Sequence, residues 1–262
     1  MSTPARYGAT LSLAAIEALC ERLGLPAPVP LGGEGPPRAG GPADVEDPEG
    51  ELAGLVRLAG GDDMPGELVT ALSVLADPQF LITALRQDDA PAMTTSVAVG
   101  DGVAAELRPV GARRQRLELV PASGALARAT AFCGLRERPI PAVPPLTLEP
   151  ARLVAAGDRV AGGDTDGAAE ILAVGGGDER ARGALLRALV SRRAGCEVSV
   201  LDRRRPDQVQ ATVTAWLDAG DAGLWRIPPV TPAAETVEVR PVTVAELVGE
   251  MVDGMPELGG TP

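Results

Sequence analysis

Apolar residues recur along the chain with two alternating periods. Spacings of three and four residues mark helices at Ala14–Leu23 and, after Pro65 and Glu67, along the stripe Leu68, Val69, Leu72 and Leu75, which Asp77-Pro78 ends. A period of two marks strands at Leu11–Leu13, Phe80–Arg86, Thr94–Val99, Val103–Arg108 and Arg114–Val120. Gly100-Asp101-Gly102 predicts a hairpin turn between the third and fourth of these. In the last strand, Arg114, Arg116 and Glu118 are expected to face water while Leu117 and Leu119 face inward. Ser123 is the expected cap of a helix that runs to Phe132 and stops near Gly134.

The second half repeats this order. A helix is predicted from Glu149 to about Val160, and another is capped by Asp178, with Glu179 in its first turn and Arg192 and Arg193 at its end. Strands follow at Glu197–Asp202, Val209–Leu217, Leu224–Ile227 and Val237–Arg240. Thr243 caps a final helix through Val252, with Gly254 as its stop. Gly175–Gly177 reads as a helix–helix turn, and Asp158–Asp166 as a solvated loop.

Residue matches support a duplication. Leu117, Leu119 and Pro121 map to Val237, Val239 and Pro241 with a shift of 120 (237 − 117), as do Ser123 to Thr243 and Gly134 to Gly254. Leu68, Val69 and Leu72 map to Leu185, Leu186 and Leu189, Thr95 to Thr212, and Leu107 to Leu224 with a shift of 117 (212 − 95). Leu11-Ser12-Leu13 resembles Leu146-Thr147-Leu148. The expected fold is α+β (α/β): one domain over 1–262, made of two pseudo-two-fold halves at about 1–135 and 146–262. Their strands join in one central, mostly antiparallel β-sheet flanked by helical groups. A Pro-rich, stiff connector occupies 136–145, and a long Pro/Gly-rich segment, Pro26–Gly50, is expected to be a flexible surface loop, most so over 30–50.

Composition narrows the function. Aromatic residues make up 2 % of the chain against 45 % hydrophobic residues overall, so the core is aliphatic and base-stacking modes of nucleic-acid binding lack their platforms. A formal charge of −12 argues against nucleic acid and anionic membrane surfaces as partners. With no histidine, Ser-His and Cys-His nucleophile pairs are excluded, as is the commonest metal ligand. Cys20, Cys133 and Cys196 are far apart and odd in number, which predicts small buried thiols in a reducing compartment rather than disulfides or a zinc site. No stretch has the form of a targeting segment or the apolar length of a membrane span. Asp62-Asp63 and Asp88-Asp89 lie in turns, where exposed Asp is expected, and the short basic clusters Arg113-Arg114-Arg116 and Arg203-Arg204-Arg205 suit strand ends and ion pairs. These features predict a non-enzymatic, cytoplasmic protein with no catalytic residue, metal or cofactor.

The opening Leu11-Ser12-Leu13-Ala14-Ala15-Ile16-Glu17-Ala18-Leu19 with Leu23-Gly24-Leu25-Pro26, the acidic helix entering at Glu51–Leu58, the four-strand meander, and Ala215-Trp216-Leu217-Asp218 followed by Gly223-Leu224-Trp225 form a set of patterns. Together they are similar to the EspG family of type VII (ESX) secretion chaperones. The resemblance implies an actinobacterial cytosolic chaperone that binds the tip of the helical PPE subunit in PE–PPE heterodimers, shields its apolar end and keeps it soluble for export. It implies a partner-binding loop at Gln87–Ala92, here Gln87, Asp88, Asp89, Ala90 and Pro91, and a helical group over Glu149–Val190 that includes Leu153, Val160 and Leu172. The expected partner is a helical secretion substrate, either PE–PPE-like or a WXG-type heterodimer. A structural or regulatory dimerisation module, in which the chain forms a homodimer, is the alternative, and a carboxylate-using enzyme is a third reading that needs a deep acidic pocket.

Overall fold

The computed structural model describes residues 7–26, 47–58, 64–88, 91–110, 114–174, 176–205, 210–229 and 234–255. The first half contains β1 (Tyr7–Ser12), α1 (Leu13–Leu23), α2 (Pro48–Leu58), α3 (Gly66–Ala76), β2 (Phe80–Gln87), β3 (Met93–Gly100), β4 (Val103–Pro109), β5 (Arg114–Pro121) and α4 (Ala125–Phe132). The second contains β6 (Leu146–Leu148), α5 (Pro150–Ala161), α6 (Thr165–Val174), α7 (Glu179–Val190), β7 (Ala194–Asp202), β8 (Gln210–Asp218), β9 (Leu224–Arg226), β10 (Val237–Val242) and α8 (Val244–Asp253). All ten strands form one antiparallel sheet in the order β1-β5-β4-β3-β2-β7-β8-β9-β10-β6. Reading outward from the β2–β7 seam, the two halves give the same order.

Strand register ties the two sequence shifts together. If Pro121 matches Pro241, their partners Val103 and Trp225 match, a local shift of 122 (225 − 103). The next partners, Gly100 and Leu217, then match with a shift of 117 (217 − 100), the one seen at Thr95 and Thr212. One strand further in, Phe80 matches Cys196, so Thr83 and Ser199, which pair with each other, sit on the pseudo-two-fold axis. Three of the expected matches change. Register equates Tyr7–Ala9, not Leu11–Leu13, with Leu146–Leu148, and Leu107 matches no β9 residue. The buried stripe of α3 (Leu68, Ala71, Leu72, Leu75) repeats in α7 as Ala181, Ala184, Leu185 and Ala188, one helical turn from the expected match.

Local chemistry sets the element ends. Ser12 caps α1 by accepting a hydrogen bond from Ala15 N at 3.1 Å, and Gly24, in the left-handed region at φ 65°, closes it. Thr243 and Glu246 form a reciprocal capping box on α8. Ser123 does not cap α4. It lies in a 3-10 turn, Ala122–Gly124, and α4 starts with no side-chain cap. Asp164 accepts from Gly167 N at 2.8 Å and starts α6, so the expected 158–166 loop shrinks to a three-residue turn. The long Pro/Gly segment gives way to α2 at Pro48, and its residues 27–46 lie outside the described residues.

Three aliphatic clusters hold the sheet. One face carries α4 and α8 over Phe80, Ile82, Val99, Val120, Val198, Val200 and Trp216. The opposite face carries two separate groups. α1 and α3 cover Ala98, Leu107, Leu117 and Leu119, while α5, α6 and α7 cover Leu217, Trp225, Val237 and Val239. Each fully buried Leu or Ile contributes about 1.5–3 kcal/mol, and side chains such as Leu72, Ile82 and Leu185, at 0 % exposure, anchor each cluster.

Under α4 and α8 the sheet holds two ion clusters of inverted sign. Glu106 and Glu118, paired across β4 and β5, both accept from Arg128 of α4, at 3.3 and 2.7 Å. Arg226 and Arg240, paired across β9 and β10, both donate to Glu250 of α8, at 2.6 and 3.3 Å. Glu118 was expected to face water. It is buried, because α4 covers that face and Arg128 and Arg116 neutralise it there. Burial pushes the Glu118 carboxyl up, but the Arg116 hydrogen bond and the charges of Arg128, Arg116 and Arg108 outweigh it and hold the group below the usual carboxylate range. At Glu106 burial wins over the arginines and Glu118 adds to it, so that carboxyl is raised.

Candidate partner-binding site

The central strands are covered unequally on their two faces. On the α4/α8 face, Phe80, Ile82, Ala84, Ala194, Cys196, Val198 and Val200 are all under 5 % exposed. On the other face the same strands present Leu81, Thr83, Leu85, Gly195, Glu197, Ser199 and Leu201, all half-buried. β8 continues this floor with exposed Ala211 and half-buried Val213 and Ala215, and β3 adds half-buried Thr94. The cause is the placement of the helices. α3 packs on β3, β4 and β5, and the α5–α7 group covers the outer strands of the other half. Between the two groups a trough is left, centred on Thr83 and Ser199, whose floor no helix among the described residues covers.

Its dimensions follow from strand geometry. The eight residues of β2 span roughly 26 Å at ~3.3 Å per residue, and three interstrand spacings from β3 to β8 give a width of about 14 Å. An α-helix with its side chains is about 10–12 Å across, so one helix fits the floor. Most floor side chains are small or aliphatic. Glu197, opposite Leu85 on one side and Ala215 on the other, is the one charged residue among these positions.

The residues singled out from sequence fall at one end of this trough or inside the helical group. Gln87, exposed, ends β2 beside Gly195. Asp88 follows it and pairs with Arg86 at 3.4 Å, while Pro91 is exposed. Asp89 and Ala90 lie outside the described residues, as do Asp62 and Asp63. Arg86 also donates to Cys133 O at 3.2 Å, fastening the loop base to the end of α4. A short turn at 162–164 joins α5 to α6, and α5, α6 and α7 pack alongside one another. The α5–α6 turn, with half-buried Val160 before it, therefore lies at the end of the group where α7 runs out toward β7. Leu153 and Leu172 are 7 % and 1 % exposed and form the group's own core. The outward apolar residues of these helices are Val154, Val174 and Val190.

The connector is fixed at the same end as the loop. Arg138 donates two hydrogen bonds to Asp218 at the end of β8, at 3.0 and 2.7 Å, and Asp218 also accepts from Gly220 N at 2.9 Å. Gly223, at φ 98°, lets the connector pass: a Cβ there would lie 2.8 Å from Pro139 O and Pro141 Cδ. A shallow groove runs between Pro141–Val143 and the Glu179, Arg180, Gly183 and Arg187 side of α7.

Among the described residues no group of three acidic, Cys or His side chains could hold a metal ion. The three cysteines are free and buried. The Cys133 thiol is pushed up by its hydrogen bond with Cys196 and by burial, and the Cys20 thiol by burial and Glu17, so both stay protonated. No helix among the described residues is long and apolar enough to cross a membrane. From the basic clusters, Arg114 pairs with Glu51, Arg116 with Glu118, and Arg204 with Asp202.

The trough floor was not visible in the sequence. Leu81, Thr83 and Leu85 alternate as any half-covered strand does. Leu81 packs against the edge of the α1/α3 cluster, and the separation of the helical groups leaves Thr83 and Leu85 half-buried beyond it. No protein-family model matches the chain, and no curated protein matches it. Among solved structures the fold is similar to that of the Mycobacterium tuberculosis type VII secretion system chaperone EspG5 in complex with PE25-PPE41 dimer. The likeness has a TM-score of 0.65 and 16 % sequence identity, and it covers 95 % of this chain and 97 % of the EspG5 chain.

Proposed function

We propose that the chain is a cytoplasmic chaperone or adaptor of type VII (ESX) secretion, of the EspG kind, which binds a helical PE–PPE-like substrate and keeps it soluble for export. The observation that carries this reading is a fold shared over nearly the whole chain with a chaperone whose structure includes a PE–PPE dimer. The trough adds physical support. It is an aliphatic floor, one helix wide, with polar residues at its ends, as a binder of helices needs. In this reading the partner's helical tip lies on the β2–β7–β8 floor. The loop that carries Gln87, Asp88, Asp89, Ala90 and Pro91 contacts the partner, together with Val160. Leu153 and Leu172 set the shape of the α5–α7 wall from within.

Co-expression with PE–PPE pairs from the same genome, followed by size-exclusion chromatography with light scattering, tests the reading. A ternary complex that Thr83→Arg abolishes, in a variant that melts like wild type, supports it. If the chain elutes as a homodimer and takes up none of the pairs, the dimerisation module is the better account.

A further inference from the structure

We infer that Glu197 is a specificity-determining residue of the trough, selecting a helical partner that presents a lysine or arginine from within its apolar face. The inference rests on the trough being the binding site. Glu197 stands near the middle of β7 with its side chain on the open face, half-buried between Leu85 and Ala215. The floor residues around it, Thr83, Ser199, Leu201 and Val213, carry no charge. Unlike Glu106, Glu118, Glu246 and Glu250, which all face arginines, Glu197 makes no hydrogen bond or ion pair with a described residue.

The position has a cost that a partner would relieve. A helix laid on the floor would strip water from Glu197, and an apolar contact would leave a buried carboxylate unpaired, which is strongly unfavourable. A basic side chain at that point supplies a charge-assisted hydrogen bond in a desolvated setting. A carboxylate there repels. The pseudo-two-fold axis sharpens the choice, because the position matching Glu197 in β2 is Leu81 (197 − 116). The charge therefore lies off-centre, on one side of the axis of a nearly symmetric floor, and a helix bearing one basic residue has one preferred direction along it.

The test uses three amphipathic peptides about 20 residues long, sufficient for appreciable helicity. They are identical except for Lys, Leu or Glu at the centre of the apolar face, and binding is read by fluorescence anisotropy. The Lys peptide is expected to bind the wild-type chain on the order of tenfold more tightly than the Leu peptide, and the Glu peptide most weakly. Glu197→Gln should remove the preference for Lys, and Glu197→Lys should reverse the order of the Lys and Glu peptides. Thr83→Arg and Ala211→Arg, each checked by circular dichroism for an unchanged fold, serve as trough blocks. Equal binding of all three peptides, abolished by the blocks, overturns the role of Glu197 while leaving the trough as the site. Failure of all three to bind, or binding that the blocks leave unchanged, overturns both.

Discussion

Replacing Asp218 by Asn tests whether the connector is clamped by charge. In the native chain the Asp218 carboxylate accepts two hydrogen bonds from Arg138 and one from Gly220 N, and both ionic side chains are 11 % exposed. Removing one member of a fully buried pair costs about 3–5 kcal/mol. Here the residual exposure and the hydrogen bonds an amide retains bring the expectation for Asp218→Asn to roughly 2–3 kcal/mol at pH 7. Burial pushes this carboxyl up, but the hydrogen bonds from Arg138 and Gly220 and the charges of Arg138 and Arg136 outweigh it, leaving it below its ordinary value. A carboxyl depressed in the folded state contributes stability above its unfolded pKa of about 3.9 and loses it as pH falls through the folded value. Urea unfolding at pH 7 and near pH 3 should therefore show a gap between wild type and variant that narrows in acid. A variant within about 0.5 kcal/mol of wild type at pH 7, or a gap equal at both pH values, refutes the clamp.

Glu106→Gln should behave oppositely. The Glu106 carboxyl is raised by burial, so its ionisation costs stability as pH climbs from the unfolded pKa of about 4.3 through the folded value. The variant should gain on wild type between pH 4 and pH 7, and thermal melts at the two values decide it. Thr243→Ala opens the capping box of α8 and should cost about 1–2 kcal/mol, a drop of several degrees in Tm. Gly223→Ala forces a side chain into the left-handed region and against Pro139 O and Pro141, so a loss of more than about 2 kcal/mol is expected by urea titration.

Much of the fold was legible because local chemistry decides it. The Gly100-Asp101-Gly102 turn appears with positive φ at Asp101 and Gly102, the expected caps at Asp178 and Thr243 are made, and strand alternation located the meander in each half. What could not be read depends on partners distant in sequence. Glu118 looked solvent-facing because its arginine, Arg128, belongs to a helix whose docking face the strand does not reveal. β7 begins at Ala194, three residues before its expected start, because Gly195 pairs with Gln87 at the β2–β7 seam. The loop and helices proposed for binding came from resemblance, whereas the floor between them came from the gap left by the helical groups. Leu153 and Leu172 show the limit of the resemblance, since an apolar residue in a binding helix is as readily part of that helix's own core.

The inverted ion clusters beneath α4 and α8 bear on how a duplicated chain avoids confusing its own parts. Both closing helices are short, both present an aliphatic stripe, and both dock on the same side of one sheet, so hydrophobicity alone would not tell them apart. Charge does. Arg128 exchanged onto the β9–β10 seat would confront Arg226 and Arg240, and Glu250 on the β4–β5 seat would confront Glu106 and Glu118. Misplaced docking, within one molecule or by trading helices between two, thus meets like-charge repulsion, strongest at the buried Glu106 and Glu118, and each helix carries an address that only its own half accepts.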